Sequence, residues 1–160
     1  MRSYYSEKVS KFLNSSDNEI LGQLLMNHSF SNDLEQKRAW LEQIRILKGA
    51  LIDFPEATLF FEFAIPRMGK RVDNILILYG IIYLLEFKIF AKSYETYAIE
   101  QVVDYALDLK NFHSESHNKT IIPILISTMA PEINTQILFA DDGISNCIKA
   151  NATTLKQVLT

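Results

Sequence analysis

Apolar residues in this chain follow two different periods. From Ser16 to about Ile52 they recur every three or four positions (Ile20, Leu21, Leu24 and Leu25, then Leu34, Trp40, Leu41, Ile44, Leu47 and Leu51). That is the spacing of helices that bury one face. Ser16 with Glu19, and Asn32 with Glu35, have capping-box spacing and predict the starts of two such helices. Tyr4 to Leu13 reads as a shorter amphipathic helix ahead of them. From Thr58 the pattern becomes runs rich in Ile, Leu and aromatic residues. TLFFEFAI, ended by Pro66, predicts one strand, and two further apolar runs meet at Tyr79-Gly80, a dipeptide suited to a two-residue hairpin turn. Helical spacing returns at Ile99, Val102, Val103, Ala106 and Leu109, predicting a helix from about Tyr94 to Asn111 with Ser93 as its cap. Thr120 to Thr128 predicts a buried strand in which Pro123 signals an edge or a bulge. Gln136 to Ala140 and Ile144 to Ala150 read as short strands, and Asn151 or Thr153 opens a terminal helix.

Helices, a three-strand meander, a crossover helix, more strands and a last helix make an α/β chain. The architecture that satisfies this order is three-layered, α/β/α, with a central mixed sheet covered by helices on both faces. Residues 1–53 form an N-terminal helical part and 54–160 a sheet core, within a single domain of 160 residues. Composition (48% hydrophobic, 22% charged) is that of a globular protein, and a net charge of −3 supplies no global basic field. Nucleic-acid binding would therefore rest on local charge. One cysteine, Cys147, excludes an internal disulfide and fits a reducing compartment. No signal peptide or membrane-length apolar run is present, so a cytoplasmic location is expected.

Charge inside the apolar strings carries the chemistry. Glu86 and Lys88 sit in LLEFKIF, where unpaired charges are costly to bury. A two-residue turn at Tyr79-Gly80 would place Leu78 opposite Ile81, Leu76 opposite Tyr83 and Asp73 opposite Glu86. Opposed side chains have Cβ atoms roughly 5 Å apart, where like charges repel. Lys88 shares the face of Glu86 because the strand period is two. A divalent cation would reconcile two opposed carboxylates, and carboxylates with carbonyl and water ligands suit Mg²⁺ or Mn²⁺. The bland alternative is a structural ion pair between Lys88 and one of the acids. Two further carboxylates could complete the set: Glu42, on the flank of the third helix, and Glu62, in the apolar middle of TLFFEFAI. Arg67, Lys70, Arg71 and Lys92 flank the hairpin as a local basic rim. Gln101 and Tyr105, four apart, share one face of the crossover helix. His113 and His117 have the spacing of two helical metal ligands, but their surroundings read as a loop and no third zinc ligand is apparent.

Together GKRVD, EFK and QVVDY, with Glu86 thirteen positions after Asp73 and Gln101 thirteen after Lys88, resemble the PD-(D/E)XK nuclease superfamily. The likeness is to its RecB-type branch, which carries Q-x-x-x-Y, and it extends from about Asn32 to Met129. FEFAIPRMGKRVD and AIEQVVDYALDLKNFH further resemble nuclease-like domains found N-terminal to predicted bacterial ATP-dependent DNA helicases. The resemblance implies a restriction-endonuclease-like fold and a Mg²⁺- or Mn²⁺-dependent deoxyribonuclease acting in repair, recombination or defence. Asp73 and Glu86 would bind metal with the carbonyl of Phe87, and Glu42 or Glu62 would complete the site. Lys88 would be the catalytic lysine, with Gln101 and Tyr105 positioning it or the strand. Partners implied are DNA and an ATP-dependent helicase, with homo-oligomerisation open. Two departures accompany the likeness: the upstream histidine of RecB-type enzymes has only His28 available, without a clear match, and no GxxxxGK[ST] loop occurs. The chain also stops within a predicted helix, as a fragment of a longer nuclease-helicase protein would. The alternatives are an inactive nuclease-fold module that binds DNA or a helicase, and a structural subunit of a larger complex.

Overall fold

The computed structural model describes residues 2–28, 34–65, 69–113 and 116–159. In chain order the elements are β1 (Tyr5–Lys8), α1 (Val9–Asn14), α2 (Asp17–Met26), α3 (Leu34–Ala50), β2 (Thr58–Ile65), β3 (Lys70–Leu78), β4 (Ile81–Lys88), α4 (Thr96–Phe112), β5 (Thr120–Ser127), β6 (Ile148–Ala150) and α5 (Leu155–Leu159). The six strands lie side by side in chain order. β1 to β4 pair antiparallel, while β5 and β6 run parallel to β4. α4 is the crossover that a parallel connection requires.

A tight turn fixes the register at the centre. Tyr79 (φ 53°) and Gly80 (φ 76°) both occupy the left-handed region, as the hairpin turn that matches strand twist demands. Leu78 therefore faces Ile81 and Leu76 faces Tyr83, the expected register. One face of the sheet, including Phe61, Leu76, Leu85 and Ile124, is buried under α1, α2, α3 and α5 through Phe12, Leu24, Trp40, Ile44 and Leu155. The other, including Ile75, Ile82, Leu84 and Leu125, packs against Val102, Ala106 and Leu109 of α4. Each fully buried Leu on these faces contributes roughly 1.5–3 kcal/mol. The result is a mixed α/β chain with helices on both sides of one sheet.

Several expectations are corrected. Tyr4 to Leu13 is not one helix: its first half is β1, an edge strand on β2, so the N-terminal part is not purely helical. The Ser16–Glu19 capping box is present at α2, whereas Asn32 lies outside the described residues. Ser93 does not cap α4; Glu95 holds the N-cap position and accepts a hydrogen bond from the Ser93 hydroxyl. Gln136 to Ala140 forms no strand beyond an isolated bridge at Phe139, and β6 is shortened to Ile148–Ala150. Pro123 lies in an interior strand, not at an edge or bulge. Its neighbours two residues away direct their N–H groups away from β4, Ile121 to the Gly143 carbonyl (3.0 Å) and Leu125 to the Cys147 sulfur. Pro123 shares their phase, and β6 begins only opposite Ile124, so the missing donor falls where no partner stands. No helix among the described residues is long and apolar enough to cross a membrane.

Candidate metal and nucleic-acid site

β3 and β4 stay paired as far as Asn74 and Leu85 and then part. At the next step side chains take over the ladder. The Asp73 N–H donates to Glu86 Oε1 (2.8 Å), and the Phe87 N–H donates to Asp73 Oδ2 (2.8 Å). Each acid thus satisfies a backbone donor of the other strand, which holds the two carboxylates opposite one another. Glu62 stands across from Asp73 on the far side, between the pairs Phe61–Asn74 and Phe63–Val72.

Three carboxylates in this space repel one another. Burial lifts the Asp73 carboxyl to about 6, opposed by the Phe87 N–H and the charge of Lys88. Glu86 is held well above the ordinary carboxylate range by burial first and then by the charge of Asp73. Burial and the charge of Asp73 push Glu62 up to about 8, with Arg71 opposing. The same three charges, after burial, raise the Tyr105 hydroxyl. Carboxylate oxygens are the donors that hard divalent cations favour.

Lys88 completes the arrangement from the end of β4. Its ammonium donates to Gln101 Oε1 (3.0 Å), and Gln101 Nε2 donates to the Tyr105 hydroxyl (3.1 Å). Among the described residues no ion pair joins Lys88 to Asp73 or Glu86, so the bland alternative of a structural pair is not what forms. The Tyr97 ring lies 5.7 Å from the ammonium. Sequence reasoning missed Tyr97, although its place four residues before Gln101 on one helical face was the available signal.

Other expected residues lie elsewhere. Glu42 sits on α3, whose inward side chains Trp40, Ile44 and Leu47 pack on the opposite face of the sheet, and its carboxylate is taken by Arg45. The structure does not bring it to the cluster; Glu62 is the third acid there. Arg71 is half-buried, donating to the Glu62 carbonyl (2.6 Å) with its guanidinium 4.4 Å from the Tyr4 ring centroid. Arg67 lies outside the described residues. Lys70 is exposed and lines a cleft of about 480 Å³ with Tyr97, Gln101 and Tyr105, whose remaining wall includes Glu100, Asp104 and Asp108. Lys92 is exposed in the loop after β4. His113 ends α4 with Nδ1 against the Ser116 hydroxyl (2.8 Å), and His117 Nδ1 faces the Lys110 carbonyl (3.3 Å).

Among the described residues no three His, Cys, Asp or Glu side chains converge as a ready metal cage. Asp73 and Glu86 each give one oxygen to a backbone N–H of the other strand. In comparison with known proteins, no family model matches this chain, and neither does any curated sequence or solved structure.

Proposed function

We propose that this chain is a divalent-metal-dependent hydrolase of phosphodiester bonds in DNA, with the layout of a PD-(D/E)XK nuclease. One observation carries the reading. Asp73 and Glu86 oppose each other where two strands part, and Lys88 stands two residues on, bonded to Gln101 and in direct ion pair with neither acid. The acid donors fit Mg²⁺ or Mn²⁺, which Asp73, Glu86, Glu62 and the carbonyl of Phe87 would hold. Bound there, such an ion would supply Lewis-acid stabilisation of charge on the phosphate. Gln101 fixes the direction of the Lys88 ammonium, and Tyr105 fixes Gln101. Lys88 orients the attacking water or neutralises charge on the scissile phosphate. Lys70 and Lys92 contact phosphates along the strand.

A second reading has its own support. Glu100, Asp104 and Asp108 line the cleft beside Gln101, and Arg71 is engaged by the Glu62 carbonyl, so acids offset the basic rim. A module that meets DNA only with a helicase partner supplying positive surface fits that charge distribution. Mn²⁺ titration by calorimetry of wild type and of Asp73→Ala/Glu86→Ala, with and without a short duplex, tests the first reading, and cleavage of the duplex is followed in parallel. Binding and cleavage confined to the wild type support it. A folded wild type that binds no Mn²⁺ under either condition sinks it.

A further inference from the structure

Glu62 occupies a conformation that its sequence does not ask for. It lies in the middle of β2 with φ 53°, a left-handed residue in a strand of β-formers. Non-glycine residues there carry strain and persist only where their surroundings hold them. Pairing with the N-terminal segment steps over it. The Phe61 carbonyl accepts from the Tyr4 N–H (3.0 Å), and the Ala64 N–H donates to the Arg2 carbonyl (2.7 Å). Counted from the ladder pair Tyr5–Phe61, the two strands keep step, and β3 stays in register on the other side (Phe61 with Asn74, Phe63 with Val72), so Glu62 twists β2 locally without an inserted residue. Side-chain direction reverses across it. Phe61 packs under the N-terminal helices and Phe63 on the α4 side, where its ring meets Phe60 at 5.7 Å, although a regular strand would put Phe61 and Phe63 on one face.

The freed Glu62 carbonyl is bound by Arg71, whose guanidinium lies on the Tyr4 ring, and that ring is packed by the edge of Trp40 (6.4 Å). We propose that Arg71, clamped on Tyr4, is a positioning residue that holds Glu62 in its left-handed conformation and so delivers the third carboxylate to Asp73 and Glu86. This rests on the metal-site reading above and adds to it an acid supplied by a left-handed strand residue, together with the residues that keep it there.

The experiment uses the full chain and has two readouts. The first is Mn²⁺ affinity by calorimetry for wild type, Arg71→Ala, Arg71→Lys, Glu62→Gln and the double variant Arg71→Ala/Glu62→Gln. Arg71→Ala should weaken Mn²⁺ binding about 10–100-fold, as lost supporting contacts do at metal sites. The double variant should be no weaker than Glu62→Gln alone, because Arg71 acts through Glu62. Arg71→Lys, which keeps the charge but cannot stack and fork in the same way, should fall on the weakened side and guards against misfolding of the alanine variant. Simple electrostatics predicts the opposite sign, since deleting a cation beside a cation site strengthens binding. Unchanged or tighter Mn²⁺ binding in both Arg71 variants therefore overturns the proposal. The second readout needs no metal: backbone carbon chemical shifts of Glu62, left-handed in wild type and extended once Arg71 is lost. Shifts unmoved in the variants overturn the clamp even if Mn²⁺ binds. A wild type that binds no Mn²⁺ overturns the metal-site reading, and the proposal with it, while the shifts still report separately whether Arg71 holds the backbone.

Discussion

The acid cluster should make the metal-free protein less stable as pH rises through neutrality, the reverse of the common carboxylate behaviour. Glu62 illustrates the size. Its carboxyl moves from an ordinary 4.5 to about 8 on folding, through burial and the charge of Asp73. Below 4.5 folded and unfolded chains are both protonated there, and its favourable contribution is fully present. Between the two values only the folded chain keeps the proton, so stability falls by about 1.4 kcal/mol per pH unit and the loss is complete once pH passes 8. Discounting for the part of this side chain that reaches water, about 2 kcal/mol between pH 5 and pH 7.5 is a reasonable expectation, or roughly 4–8 °C in Tm for a chain of this size. Asp73 and Glu86 are shifted in the same direction and steepen the slope. The assay is thermal or urea denaturation in chelator at closely spaced pH values, on wild type and Glu62→Gln. The neutral isostere should flatten the profile, and millimolar Mn²⁺ should raise the wild-type curve most at the high-pH end, where binding displaces no protons. A wild-type profile flat across this interval, or an equal slope in Glu62→Gln, would refute the reasoning.

Three further outcomes follow from the same geometry. Lys88→Ala should reduce cleavage of a duplex about 10²–10⁴-fold with little change in DNA affinity, and Gln101→Ala about 10–100-fold, measured in a gel assay at saturating Mn²⁺. Lys70→Ala should weaken DNA binding across sequences and lower the salt dependence by about one phosphate contact, read from titrations at several salt concentrations. Leu76→Ala, in the fully buried centre of β3, should cost about 2–5 kcal/mol by urea denaturation without altering the register at the turn.

What the sequence disclosed, and what it hid, follows from the range of the forces involved. The register that opposes Asp73 to Glu86 was legible because one local turn, Tyr79-Gly80, dictates every pair above it. The helical Gln101–Tyr105 spacing was legible for the same reason. Tyr4 to Leu13 misled because its buried residues, Tyr5, Val9 and Phe12, are spaced four and three apart, as in a helix, although a strand and then a helix carry them. Gln136 to Ala140 has strand-forming residues but only a single bridge for a partner, and pairing decides strands more than propensity does. The left-handed Glu62 was invisible. Nothing in TLFFEFAI marks a left-handed residue, and the groups around its carbonyl, Arg71 and through it Tyr4, are brought there by the tertiary fold. Choosing between Glu42 and Glu62 needed the tertiary fact that α3 packs on the face of the sheet opposite to α4.

Cys147 gives the molecule a built-in clock. Its sulfur is buried on the α4 side beside β6, bonded by the Leu125 N–H, and burial pushes the thiol up to about 11. At neutral pH it is therefore both shielded and unreactive, and an alkylating reagent can capture it only after the sheet edge opens. Since the sequence holds no second cysteine, the labelling rate counts openings at one place. The edge strand could detach alone or only when the whole chain unfolds, and comparing that rate with global unfolding would tell which, without any engineered probe.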